Sequence, residues 1–383
     1  MNLTPEKFNN QTEIEHEWDL SGWIPDKPTQ SDYGYVINGS AFGCSQEELI
    51  SRIAQSGISN IKFVWTPEKP QPVFPEHVPF LVDAFKRHAA KKARHEVYWG
   101  AGFLLFGLAL ALGFGNWQLL YRNFFSVLGA VGLLGGFWEL SRLRHYTQAD
   151  AVSAASSERF ARWLKSKSIS NYTIAIAASL IVVGTAQMIA GDKESIQAAG
   201  LVKPEVWDGQ WWRLLTCTLM HINFTHFWMN SLALFQFARI IEQTINRALM
   251  PIIFLISALC GSVFSFLLYP HITSVGASGG LMGLLGFMTI AVFLEPQKYP
   301  PMYLRRLVEG ILFVGLLGVV GFAFIDNAAH LGGLCSGSIL GWIFLKRVAN
   351  QEQGRLEACL PLMGIISLIF IWLIAVTGIW HMF

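Results

Sequence analysis

The stretch Ser274–Met288, "SVGASGGLMGLLGFM", decides how this sequence is interpreted. Most of it is as apolar as a membrane helix, yet Ser278 stands between small residues at its start. Small residues allow membrane helices to pack closely, and a serine hydroxyl beside a base is a nucleophile. From this stretch alone, Ser278 is either a packing residue or a reactive group.

The composition around this stretch predicts an α-helical polytopic membrane protein. Of 383 residues, 52% are hydrophobic and 14% are charged, whereas soluble domains typically carry about 25% charged residues. Nine apolar stretches approach the length that spans a bilayer. They start near Val97, Phe124, Asn171, Asn223, Leu249, Ser278, Leu307, Ala328 and Leu360.

The first 95 residues predict a small α+β soluble domain. "YGYVING" and "SNIKFVW" alternate like strands, and "SQEELISRIAQSG" between them predicts a helix that Ser45 caps and Gly57 ends. "EHVPFLVDAFKRHAAKKARHE" predicts a second helix. The first twenty residues lack the apolar segment of a signal peptide, so we do not expect one.

The distribution of Lys and Arg predicts the orientation. Most of these residues flank the spans on the side of the N-terminal domain. The opposite loops hold only Arg122, Lys193, Lys203 and Arg213. Because cytoplasmic loops are enriched in Lys and Arg, we expect the N-terminus inside and the C-terminus outside. The five cysteines form no CxxC pair, so neither a zinc site nor a disulfide framework is expected.

Three polar stretches interrupt the apolar spans: "MHINFTHFWMN", "GASGG" and "AAHLGG". Such residues are functional candidates in a membrane. His226 and Ser278 are 52 residues apart, and so are Ser278 and His330. Each interval contains two spans, so all three residues return to the same, outer side. Asn230 follows His226 by four residues, so the two side chains share one face of a helix.

These residue types indicate acyl-transfer chemistry. His330 is the candidate base for Ser278, and His226, Asn230 and the Ser278 backbone N–H are candidate donors to an oxyanion. Small residues at four-residue spacing predict that the two helices carrying Ser278 and His330 pack closely. They are Gly279, Gly283, Gly333, Gly337 and Gly341.

The sequence resembles the rhomboid family of intramembrane serine proteases. The resemblance covers roughly residues 171–345, about half the chain, and includes "GQWWRLLTCTLMHINFTHFWMN", "GASGGLMGLLG" and "AAHLGG". It implies a six-helix core, a Ser278–His330 dyad, and an oxyanion site of His226, Asn230 and the Ser278 amide, without metal or cofactor. It further implies supporting roles for the following residues: Gly276, His221, Trp212 and Arg213.

The composition and the resemblance together set the expected domains and partners. The domains are a soluble cytoplasmic domain (1–95), two additional transmembrane helices (96–145), a cytoplasmic linker (146–170), a six-helix catalytic core (171–348) and a C-terminal seventh helix after that core (349–383). The expected partners are transmembrane protein substrates and the lipid bilayer, with no nucleic acid. The expected location is a bacterial plasma membrane, and the sequence gives no oligomeric state.

Several alternatives are weighed against this interpretation. Asp326, four residues before His330, is expected to cap a helix rather than complete a triad, and Glu242 is expected to be structural. A non-catalytic rhomboid-like binding protein or chaperone is the main alternative function. A transporter would show internal repeats. A zinc protease would carry an HExxH motif, and an aspartyl protease would carry two intramembrane aspartates. The sequence offers none of these features.

Overall fold

A computed structural model of the protein describes residues 26–28, 31–58, 61–118, 124–320, 325–349 and 353–383. The chain divides into two compact units, Met1–Trp163 and Leu164–Phe383. The predicted class is confirmed, because the described residues are mostly helical with one small sheet.

A four-stranded antiparallel sheet forms the centre of the first unit. Its elements are β1 (Tyr33–Ile37), β2 (Ser40–Cys44), α1 (Gln46–Ser56), β3 (Val64–Thr66) and β4 (Lys69–Val73), and the strand order is β2-β1-β3-β4. Asn38 and Gly39 join β1 to β2 with φ angles of 51° and 81°. This left-handed pair matches the twist of a two-residue hairpin, so the Asn-Gly sequence fixes that register.

The predicted helix and first strand are confirmed. Ser45 accepts a 3.1 Å hydrogen bond from the Glu48 amide, and Gly57 follows the end of α1. β2 and β4 were not predicted: β2 contains a glycine and β4 two prolines, which strands rarely tolerate except at edges. Of the predicted strand "SNIKFVW", residues 59 and 60 lie outside the described residues, and β3 begins at Val64.

Three helices complete the first unit: α2 (Val82–Gly113), α3 (Phe124–Arg142) and α4 (Gln148–Ser166). Ala151 and Ala155 of α4 lie in the core built on the sheet. The fully buried Glu76 forms an ion pair with Arg159 of α4 at 2.5 Å. The segment predicted as a linker, 146–170, therefore contains a helix with buried core positions.

α2 is one continuous helix that includes most of the predicted second helix of the soluble domain, from Val82 onward, and the first apolar span. Glycines bring α2 and α3 together: a Cβ on Gly100 would lie 2.6 Å from the Leu133 backbone nitrogen. Such backbone contact is typical of membrane helix pairs.

The second unit is helical. Its helices are α5 (Asn171–Ala190), α6 (Asp192–Ala199), α7 (Lys203–Trp207), α8 (Arg213–Thr216), α9 (Phe224–Ile241), α10 (Leu249–Leu268), α11 (Ser278–Leu294), α12 (Tyr303–Val320), α13 (Asn327–Ala349) and α14 (Gln353–Met382). Each of the nine predicted spans falls on a described helix.

Five stretches among the described residues are long and apolar enough to cross a membrane on their own. They are Pro79–Gly113, Asn171–Ala190, Leu249–Leu268, Asn327–Lys346 and Ala358–Met382. α11 is a shorter apolar helix. A multi-pass membrane protein is therefore established, and the total of nine spans stays a prediction.

α11 and α13 pack backbone to backbone, as their glycines predicted. A Cβ added to Gly333 would overlap the Gly279 carbonyl oxygen, and one added to Gly337 would overlap that of Gly283. A Cβ added to Gly341 would likewise lie 3.1 Å from the Phe287 carbonyl oxygen. Because the contacts advance in the same direction along both chains, the two helices run parallel.

Glu242 follows α9 and ties its end to the start of α5. Its carboxylate accepts hydrogen bonds from the Ser170 amide at 3.1 Å, from the Ser170 hydroxyl, and from the Thr173 hydroxyl at 2.5 Å. These contacts are structural, as the sequence predicted.

Candidate active site

Ser278 is the first residue of α11 and is half-buried. The first N–H groups of a helix have no partner within the helix. No side chain caps α11, whereas Asn223 caps α9 and Asp326 caps α13. The start of α11 therefore places a hydroxyl beside backbone donors that remain free to bind an anion.

Gly276 shapes the loop before Ser278. Its amide donates a 2.9 Å hydrogen bond to the Cys217 carbonyl oxygen, and its φ of 138° is one that L-residues rarely adopt. A Cβ at this position would lie 2.6 Å from Cε1 of His226. The glycine therefore lets the loop pass directly against the His226 ring.

His330 is the fourth residue of α13, half-buried, with its amide bonded to the Asp326 carbonyl oxygen at 3.1 Å. A Cβ on Gly279 would lie 3.6 Å from the Ala329 carbonyl oxygen, so the residues next to Ser278 and His330 are in contact.

The register between these helices fixes the level of the two residues. Gly279 faces Ala329 and Gly333, which lie 50 and 54 positions further along. The Ser278–His330 separation of 52 is the midpoint of this range. The structure therefore brings Ser278 and His330 to the same level of adjacent parallel helices.

His226 and Asn230 lie on α9. The His226 amide donates to Asn223 Oδ1 at 2.9 Å, and the His226 ring lies against Gly276 of the loop before Ser278. Asn230 is buried and donates through Nδ2 to the His226 carbonyl oxygen at 2.9 Å. The two side chains predicted to bind an oxyanion thus lie on the helix beside the serine loop.

His221 lies behind His226. It is buried, and its ring is perpendicular to that of His226 with centroids 5.2 Å apart. Gln187 of α5 holds the backbone of His221 through bonds of 2.9 Å and 3.1 Å. His221 therefore supports the His226 ring by packing.

Arg213 holds together the segment between α5 and α9. Its guanidinium donates to Gln210 Oε1 at 2.7 Å and to the carbonyl oxygens of Gln197 at 3.0 Å and Gly200 at 2.9 Å. It also lies 4.8 Å from the Trp212 ring, which stacks on His381 of α14 at 3.8 Å.

Sequence reasoning missed a partly buried polar cluster next to the candidate site. Asp326 caps α13 through the Ala329 amide at 2.9 Å, which confirms its predicted role, and it also accepts from Ser274 at 2.5 Å and from Ser265. Lys203, 1% exposed, donates to Ser274 at 2.7 Å. Burial lowers the pKa of Lys203, and the charge of Asp326 opposes that shift.

A sequence signal for this cluster exists in hindsight. Ser274 precedes Ser278 by four residues and Asp326 precedes His330 by four, so the pair repeats the 52-residue spacing.

Residues 208–347 match the family model of the rhomboid domain. This chain therefore contains a rhomboid domain. The match lies inside the predicted core, 171–348, whose boundaries stay a prediction. It includes all the rhomboid motif residues predicted for the site.

The rhomboid segment is similar to proteins from a bacterium and a plant. YdcA of Bacillus subtilis (strain 168) is 29% identical over 141 residues, 37% of this chain and 70% of YdcA. Rhomboid protease GluP of the same strain is 36% identical over 34% of this chain and 25% of GluP. RHOMBOID-like protein 4 of Arabidopsis thaliana is 32% identical over 40% of each chain.

The chain thus aligns with less than half of two of these relatives. Because they come from both a bacterium and a plant, they do not distinguish the expected bacterial plasma membrane from other membranes.

Proposed function

We propose that this rhomboid protein is an intramembrane serine endopeptidase that cleaves transmembrane segments of membrane proteins. Ser278 is the nucleophile and His330 the general base. The observation that carries the proposal is the register of α11 and α13, in which Gly279 meets Ala329 and the two reactive residues share one level. The similarity to GluP, which is named a rhomboid protease, supports the same activity.

In the first step His330 takes the proton of Ser278, and the serine oxygen attacks a peptide carbonyl of the substrate. The negative charge on that carbonyl oxygen is stabilised by the Ser278 amide at the uncapped start of α11, with His226 and Asn230 as further donors. The C–N bond breaks as His330 returns the proton to the leaving amine.

Water completes the reaction by hydrolysing the acyl-enzyme, again with His330 as base. The substrate helix must unwind first, because its carbonyls are hydrogen-bonded and unsatisfied backbone groups are costly in lipid. The Lys and Arg distribution supports an active site that opens to the outer side, with residues 1–95 in the cytoplasm.

Labelling of the purified full-length protein with a fluorophosphonate probe tests this proposal. The wild type should label, and Ser278→Ala and His330→Ala should not. Ser336→Ala is the matched control: its hydroxyl bonds the Gly333 carbonyl of its own helix at 2.9 Å, so labelling should persist.

A second arm measures cleavage of a Gly/Ala-rich model transmembrane helix. Folded wild-type protein that neither labels nor cleaves would overturn the proposal and leave a non-catalytic binding protein for membrane clients as the better function.

A further inference from the structure

We infer that Lys203, Ser274 and Asp326 form a partly buried latch that positions the serine loop, Ser274–Ser278, against the helix carrying His330. This inference rests on the proposed function and adds three positioning residues to it. None of the three is a catalytic residue, because each acts through the chain segment that it holds.

The hydrogen bonds of the latch run from one charge to the other through Ser274. Lys203 Nζ donates to Ser274 Oγ at 2.7 Å and to the Ile272 carbonyl oxygen, and Ser274 Oγ donates to Asp326 Oδ2 at 2.5 Å. Ser265 of α10 donates to the same carboxylate oxygen. Each group polarises the next, which strengthens such a chain in a low-dielectric interior.

Main-chain hydrogen bonds also hold the loop Ser274–Ser278 in place. The amide of Leu201 donates to the Ser274 carbonyl oxygen at 3.0 Å, and the Ser274 amide returns a bond of 3.3 Å. Gly276 is tied to Cys217 at 2.9 Å. The segment from Ser274 to Ser278 is therefore fixed at its start by side-chain and main-chain bonds together.

The latch acts on both reactive residues at once. Ser274 lies four residues before Ser278, and Asp326 lies four before His330 while capping their shared helix α13. The Ser274–Asp326 bond spans 52 residues, the same spacing as Ser278 and His330. This bond therefore adds to the glycine contacts that set the register of α11 and α13, at the end of the helices where the reactive residues lie.

Charge makes the latch sensitive to the loss of either end. Lys203 is 1% exposed, and removing one partner of a buried charge pair leaves the other uncompensated. If Lys203 and Asp326 act as one unit, replacing both should be less harmful than replacing either.

The test compares Lys203→Met, Asp326→Asn and the double variant with the wild type, all as full-length protein in detergent. Lys298→Met is the matched control, since this exposed lysine pairs only locally with Glu295 at 2.8 Å. Two quantities are measured: the thermal unfolding midpoint, and the second-order rate of fluorophosphonate labelling per folded molecule.

We expect each single variant to label about ten- to a hundredfold more slowly per folded molecule, because small displacements of reacting groups have effects of that size. The double variant should recover to within about threefold of the wild type, as coupled sites are non-additive. The control should match the wild type in both measurements.

The outcomes separate this inference from the proposed function. If the wild type labels and the single variants label at its rate per folded molecule, the latch is only structural and the inference fails alone. Additive unfolding midpoints in the double variant would also overturn it. If folded wild type does not label at all, the proposed function fails and the positioning inference falls with it.

Discussion

Gly276 lies so close to His226 that one added carbon atom would stand 2.6 Å from the imidazole ring. The loop that leads into Ser278 and the first turn of α9 are therefore in direct contact. A side chain at position 276 would have to displace the ring that is proposed to bind the oxyanion.

Replacing Gly276 with alanine should therefore reduce the rate of substrate cleavage about a hundredfold or more, as expected when an oxyanion donor is lost. Gly209→Ala is the control, because its φ of 99° is equally unfavourable for alanine but no atom lies within 4 Å of the added Cβ. Equal losses in both variants would show that backbone strain, and not the His226 contact, is responsible.

Replacing Gly337 with alanine should destabilise the protein by about 1 to 3 kcal/mol, the range found for overpacking a filled interior. The added Cβ would overlap the carbonyl oxygen of Gly283 and force α11 and α13 apart. Thermal unfolding in detergent measures the effect. Gly315→Ala on α12, where nothing lies within 4 Å, should unfold at or above the wild-type midpoint; a similar loss there would contradict the packing argument.

Replacing Glu242 with alanine should destabilise the protein by about 2 to 3 kcal/mol, because Ser170 and Thr173 would lose their buried acceptor. The labelling rate per folded molecule should not change, since α9 separates Glu242 from His226 by roughly 25 Å of helix. Glu295→Ala, in a partly exposed pair with Lys298, should change stability by less than about 1 kcal/mol. A changed labelling rate in Glu242→Ala would assign it more than a structural role.

Replacing Arg159 with methionine should destabilise the first unit by about 3 kcal/mol or more, because it leaves the fully buried Glu76 carboxylate without its cation. Hydrogen exchange of the peptides that contain β1–β4 should become faster. Arg52→Met, which removes an exposed pair with Glu48 on one face of α1, is the control and should leave exchange in β3 and β4 unchanged. Unchanged exchange in Arg159→Met would show that this ion pair does not hold the unit together.

The sequence by itself determined the membrane class, the positions of the apolar helices and the presence of a rhomboid domain. These depend on local composition and on periodicity: Gly333, Gly337 and Gly341 recur every four residues and so mark the face along which α13 can approach α11. The cap of α1 by Ser45 was predictable for the same reason, since both partners lie within one turn.

Only the tertiary structure decided which distant polar groups share a partly buried site. Lys203 and Asp326 are 123 residues apart, and nothing local to either predicts that Ser274 bridges them. β2 and β4 were likewise missed because sheet pairing rescues sequences with poor strand propensity. Hydrogen bonds between remote segments form only when packing brings those segments together. The sequence therefore shows which polar groups are present, and the tertiary structure determines which of them bond to each other.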